Sequence, residues 1–212
     1  MKTDELIDVL ATNLERVKGG ELRNTVMIAL VIGAAAGFCF LLAMFGVHAA
    51  APGEFSLIKI LALAFTLGLV AAGASVLTSS ARPGEPGRKM LGLIVLLFLA
   101  IFIAALVTLV VTHPADRVAI VFGPQWAACL VCIPLFAVAP FASLVWALRR
   151  GAPTNLVRTG AIAGLVAGAL GAAVFAFRQS GGSIPFMALW YAGPILVCSV
   201  VGALLGPRLL RW

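Results

Sequence analysis

Residues 90–112 read MLGLIVLLFLAIFIAALVTLVVT, 23 positions without one Asp, Glu, Lys, Arg or His. An α-helix needs about 20 apolar residues to cross the hydrocarbon of a bilayer, and a helix satisfies its own backbone N–H and C=O groups there. A spanning β-strand would instead show about ten residues of alternating polarity. The stretch does not alternate, so it reads as a transmembrane helix.

Five further runs of the same kind flank it: Val26 to Gly46, Leu57 to Ser79, Trp126 to Leu148, Thr159 to Phe177 and Pro185 to Gly206. Lys59, at the mouth of one of them, is the only ionisable side chain in all six runs apart from the cysteines and Tyr191. The breakers fall between the runs, at Ala51-Pro52-Gly53, at residues 82–87 (RPGEPG), at Pro114 and Pro124, at Gly151-Ala152-Pro153 and at Gly181-Gly182. Such clusters are turn punctuation. The whole chain agrees with its parts: 62% of its 212 residues are hydrophobic, 11% are charged, and the mean hydropathy is +1.12. A soluble domain is about half apolar and about a quarter charged. A water-soluble globule, a disordered chain and a large catalytic domain are therefore excluded. The expected fold is all-α: a six-helix polytopic transmembrane bundle over residues 26–212, preceded by a short cytoplasmic segment over residues 1–25 that holds an amphipathic helix.

Orientation follows from Lys and Arg, which stay on the cytoplasmic side. The N-terminal tail, the second and fourth connections and the C-terminus hold 12 of the 15 basic residues; only Lys59, Arg117 and Arg178 fall on the other side. Both termini are expected to be cytoplasmic, in a bacterial inner membrane. The net charge of +7 then reads as a topology signal and an attraction to anionic membrane lipids, not as a nucleic-acid surface. Ala49-Ala50-Ala51 looks like a signal-peptide cleavage site, but the run before it is long and its leader is rich in acids. The first run is expected to be a retained helix.

Small residues recur where helices would meet. Gly160, Gly164 and Gly168, Gly33 and Gly37, and Gly202 and Gly206 are each four apart. Lipid tails are as apolar as leucine, so helices in a membrane associate through such close-packing stripes. Packing within one bundle is favoured over a dimer face, because six short-looped helices must pack on one another. The oligomeric state stays open. Trp126 and Trp146 stand near opposite ends of the fourth span, as interfacial anchors do, and Trp212 falls at the cytoplasmic interface. Pro134, Pro140 and Pro194 lie inside spans and are expected to kink them.

The tail is the one stretch that reads as soluble structure. Thr3 or Asp4 can cap a helix whose first turns carry Asp4, Glu5 and Asp8, where the helix dipole favours anions. Leu6, Leu10, Leu14 and Val17 form one apolar stripe, Ile7 widens it, and Gly19-Gly20 ends it. This helix can lie on the membrane, pack on its own bundle, or dock into a groove on a partner. Membrane-surface helices are usually rich in Lys and Arg, and this one is acidic over its first half. An acidic helix with a leucine stripe suits a basic partner with an apolar groove.

The spans lack the ionisable residues that ion- and proton-coupled carriers use. They leave room for a passive carrier or channel for an uncharged solute. No catalytic triad, zinc-protease helix, phosphate loop or other cofactor motif appears. His48 and His113 are far apart and read as solvated loop residues rather than metal ligands. Cys129 and Cys132 form a C-x-x-C pair on one helix face, which makes them either small core residues or sensor thiols. A thiol oxidoreductase would need a second pair to relay electrons, and no enzyme is expected.

Several segments together carry a resemblance: residues 1–8 (MKTDELID), Trp126-Ala-Ala-Cys129, residues 148–154 (LRRGAPT), residues 160–171 (GAIAGLVAGALG), Trp190-Tyr191, and the ending from Gly202 through Trp212. In order and spacing the chain resembles the NrsF family of bacterial membrane anti-sigma factors. The resemblance implies an inner-membrane protein with six spans. It would hold a cytoplasmic sigma factor of the extracytoplasmic-function type and release it under oxidant, metal or envelope stress. It implies that Asp4, Glu5, Leu6, Ile7, Asp8, Leu10 and Leu14 form the docking element and that Cys129 takes part in sensing. Family members often carry a second cysteine after the fifth span. Here that region reads Phe177-Arg178-Gln179-Ser180, and the cysteine is absent at Gln179. Cys132 or Cys198 would then substitute, or the signal would differ.

Overall fold

The computed structural model describes residues 21–46, 56–79, 87–123, 125–150, 155–178 and 182–209. The expected tail helix, with Asp4 through Leu14, lies outside them. The described residues form helices α1 (Glu21–Phe45), α2 (Leu57–Ser79), α3 (Gly87–Val111), α4 (Arg117–Phe122), α5 (Trp126–Arg149), α6 (Leu156–Arg178), α7 (Ile184–Trp190) and α8 (Ala192–Leu209). No strand occurs among them. Six segments are long and apolar enough to cross a membrane, with α7 and α8 sharing the last. The side on which α1 begins and α8 ends is called here the near side, and its opposite the far side.

Local chemistry sets the helix starts. Ser56, Asn155 and Ser183 stand before α2, α6 and α7, and their side-chain oxygens accept the N–H groups of Ile58 (3.3 Å), Arg158 (3.0 Å) and Phe186 (3.1 Å). Each satisfies one of the backbone donors a first turn leaves without a partner. Gly46 ends α1 with φ +74° and donates its N–H to the Leu42 carbonyl at 2.8 Å. That left-handed conformation suits glycine.

The centre of the bundle is a helix, not a channel. Every residue of α6 from Thr159 to Ala176 is buried except Ala161. α6 touches α8, α5, α2 and α1. The glycine stripes make this possible, and they work within the chain, as the close-packing reading expected. A Cβ on Gly160 would strike the carbonyl oxygen of Gly202, one on Gly164 that of Cys198, and one on Gly206 would come to 2.5 Å from that of Leu156. On another face of α6, a Cβ on Gly171 would lie 2.6 Å from the Ile133 carbonyl oxygen of α5. The Ser199 hydroxyl donates to the Ala161 carbonyl at 2.9 Å across the α6–α8 seam. α3 sits at the edge and packs on α2 and α7.

Two features differ from the expected spans. Residues 117–122, read as part of a connection, form the short helix α4. The last span is broken at Tyr191, which separates α7 from α8. Pro194 explains the break: it has no N–H for the carbonyl of Trp190, four residues back, and its ring crowds that carbonyl. The regular bond resumes one residue later, from Ile195 N–H to the Tyr191 carbonyl at 3.2 Å. Pro134 and Pro140, by contrast, lie within an unbroken α5.

The three basic residues that fall on the far side each have a partner. Lys59 Nζ donates to the Phe177 carbonyl at 2.9 Å, and Arg117 Nε donates to the Thr112 carbonyl at 3.3 Å. The Arg178 guanidinium lies 4.1 Å from the centre of the Phe45 ring. Cation–π and carbonyl contacts of this kind offset the loss of water around a cation.

Candidate functional site

The cysteine pair stands at the far-side end of α5. The first turn of that helix is closed by the Cys129 N–H bond to the Gln125 carbonyl at 3.1 Å. Cys129 shares the buried face of α5 with Ile133, Phe136 and Pro140 and is 0% exposed. Cys132, three residues on, is half-buried at the margin of that face. Both are free thiols. Cys39 is exposed on α1, and half-buried Cys198 packs on α8 against Gly168.

A cap of aromatic residues surrounds this end. The rings of Phe122, Trp126 and Trp190 stand 5.2 to 6.2 Å apart, centre to centre. Trp190 Nε1 donates to the Val121 carbonyl at 2.8 Å, and the Ser183 hydroxyl donates to the Ile120 carbonyl at 2.6 Å. These two bonds tie α4 onto α7. Gly123, with φ +38°, closes α4 where a Cβ would lie 3.0 Å from the Phe186 ring. Tyr191, at the break between α7 and α8, is 2% exposed and has its ring 6.3 Å from that of Phe175.

Arg178 is the residue that sequence reading did not anticipate here. It lies within electrostatic reach of both Cys129 and Cys132, and Tyr191 within that of Cys129. Among the described residues, its Nη1 and the Oε1 of Gln125 are buried without a hydrogen-bond partner. Arg178 directly precedes Gln179, the position at which the resemblance led us to look for a second cysteine. A disulfide with Cys129 has no thiol there.

The site has little room for a substrate. A cavity beside Lys59, Ser183, Met187 and Tyr191 measures about 20 Å³, the space of a single water. No group of three or more His, Cys, Asp or Glu residues that could hold a metal ion occurs among the described residues. Cys129 and Cys132 supply two thiols for a soft metal and no more. His113 is exposed.

α1, which continues directly from the tail, is packed along the cysteine helix. A Cβ on Gly33 would come within 2.6 Å of Pro140 Cα, and the Ser143 hydroxyl donates to the Ala29 carbonyl at 2.9 Å. The Phe40 and Phe136 rings meet edge-on at 5.7 Å. At its far end α1 is held by α6, through Phe45 against Arg178 and Phe38 against Phe177 at 6.1 Å. Of the residues read from the sequence as functional, Cys129 and Cys132 are thus brought to one place. Asp4, Glu5, Leu6, Ile7, Asp8, Leu10 and Leu14 lie outside the described residues.

Comparison with known proteins agrees with this architecture in extent. No solved structure matches the chain. The Anti-sigma-F factor NrsF of Caulobacter vibrioides is 31% identical over 223 aligned positions, covering the full length of both chains. The Probable anti-sigma-F factor NrsF of Azospira oryzae is 29% identical over 217, again covering both chains in full. The sequence profile of the family described as "Negative regulator of sigma F" matches residues 10–212, which takes in all six spans and most of the tail's apolar stripe. The chain therefore belongs to the NrsF family, the negative regulators of sigma F.

Proposed function

We infer that the chain is an anti-sigma factor. Residues 4–14 grip a cytoplasmic sigma factor of the extracytoplasmic-function type, and the bundle releases it when the far-side end is disturbed by an oxidant, a thiophilic metal or another envelope stress. The full-length likeness to proteins named anti-sigma-F factors supports the role. The tail's acidic leucine stripe supports the docking element, since DNA-contacting surfaces of a sigma factor are basic. The observation that carries the mechanism is that α1, the continuation of the tail, rides on α5, the helix of Cys129 and Cys132. A change at the thiols that shifts α5 must move α1 or break the Gly33–Pro140 and Ser143–Ala29 contacts. Chemistry on one side of the membrane is thereby linked to grip on the other. A tenfold loss of affinity requires only about 1.4 kcal/mol, the worth of about two interhelical hydrogen bonds in a membrane protein.

With both termini in the cytoplasm of a bacterial inner membrane, the tail meets its partner and the cysteines meet the incoming stress. The reading of a carrier for an uncharged solute is less well supported, because α6 fills the axis along which a solute would pass. Two measurements test the proposal. Leu6→Asp with Leu10→Asp should reduce co-purification of candidate sigma factors at least about tenfold, the effect of placing charge in an apolar groove; undiminished capture removes the docking role. Cys129→Ala should alter the induction curve of a reporter driven by the released sigma factor. An unchanged curve returns Cys129 to a packing residue.

A further inference from the structure

Midway along α5 and α6, α5 and α8 part to leave a groove of about 330 Å³ floored by α6. Its walls are Val138 and Phe141 of α5 and Val201 and Leu205 of α8, and Gly164 and Ala167 form the floor. The lining is almost wholly apolar, and Val138 and Val201 stay exposed on its open side. A slot of this kind among spanning helices faces acyl chains, not water.

Both walls end in arginine. Arg149 follows Val138 on α5 by about three turns, and Arg208 follows Val201 on α8 by about two turns, each on the same face of its helix. The two side chains are exposed. Arg149 Nε donates to the Leu209 carbonyl at 2.7 Å, which ties the near-side ends of the two wall helices together and holds a guanidinium about two turns beyond Phe141. Arg150 stands beside it with its guanidinium 4.0 Å from the Trp146 ring centre, an arrangement suited to the headgroup level. The only carboxylate of the described helices on this side is Glu21, at the start of α1. An apolar slot that opens on the bilayer below two arginines has the complementary charge and shape of an anionic phospholipid.

We propose that this groove binds one anionic phospholipid from the leaflet on the side of the chain termini, an acyl chain lying against Gly164 and Ala167 and the phosphate between Arg149 and Arg208. The site is separate from the tail and from the thiols, so it does not depend on the anti-sigma reading. A basic residue near the membrane surface strengthens binding of an anionic headgroup by about fivefold.

The test is native mass spectrometry of the full-length protein in detergent, with added phosphatidylglycerol, phosphatidylcholine or inorganic phosphate. Phosphatidylglycerol should be retained about tenfold or more over phosphatidylcholine. Arg149→Gln with Arg208→Gln should lower that retention about twentyfold, while Arg117→Gln on the far side leaves it unchanged. Val201→Trp, which narrows the slot at its open wall, should weaken phosphatidylglycerol without abolishing the fold, as monodisperse elution verifies. Equal retention of the two lipids, or a preference that survives the double substitution, overturns the proposal. So does binding of inorganic phosphate as tight as that of the lipid, which would leave the groove no role. A preference seen only after Asp4→Asn, Glu5→Gln and Asp8→Asn would assign the arginines to the chain's own acidic tail, and would overturn it as well.

Discussion

α3 and α6 are both long apolar helices, and they have opposite fates. α3 is dense in Leu, Ile, Val and Phe, yet among its large side chains Leu93, Leu96, Leu99, Phe102, Leu106 and Val110 are all exposed. α6 is built largely of Gly and Ala and is buried on every side. In water the more apolar helix would take the centre. In lipid, transfer from tails to protein gains nothing for leucine, and the centre goes to the helix whose neighbours can come closest. Size decides burial here, and hydrophobicity decides only whether a segment is in the membrane at all.

The strongest way to break this comparison is to put the same side chain into both helices. Gly164→Leu, whose Cβ alone would strike the Cys198 carbonyl, should cost about 3 kcal/mol or more, while Gly92→Leu in α3, with open space around it, should stay within about 0.5 kcal/mol. Thermal unfolding in detergent reads both. Equal effects would mean that α6 is not the close-packed centre. Next in size is truncation. Phe175→Ala, at 0% exposure, should lose about 3 kcal/mol, and Phe102→Ala, at 44% exposure, well under about 1 kcal/mol. The smallest effect sharpens the comparison at the seam. Ser199→Ala removes one interhelical hydrogen bond to Ala161 and should cost about 0.6 kcal/mol, the typical worth of such a bond in a membrane protein. A loss above about 2 kcal/mol would show the serine, and not the glycines, to hold α6 against α8.

The contrast also explains what the sequence made legible. Membrane insertion is local, so the apolar runs marked α2 to the residue and the other spans to within a few positions. α4 escaped notice because Arg117 and the flanking Pro114 and Pro124 made six apolar-leaning residues look like a connection. The break at Tyr191 was announced by Pro194, but as a kink, since the carbonyl that loses its bond lies four residues earlier. Of the site, the Cys129–Cys132 pair could be read from spacing on one helix. Arg178, Trp190 and Tyr191 could not, because their nearness to Cys129 depends on which helices adjoin, and no periodicity within a single span encodes that. The one available signal was that Arg178 broke the charge bias of its side.

Because α6 is the fifth of six spans to be made, the order of synthesis matters. α1 and α2 touch each other only lightly and find their main partners in α5 and α6. The growing chain must therefore hold four spans in the bilayer without their keystone. A product that stopped after α5 would keep α1 beside the helix of Cys129 and Cys132, but without the helix that closes the bundle around them. Such a fragment would be a regulator without a governor.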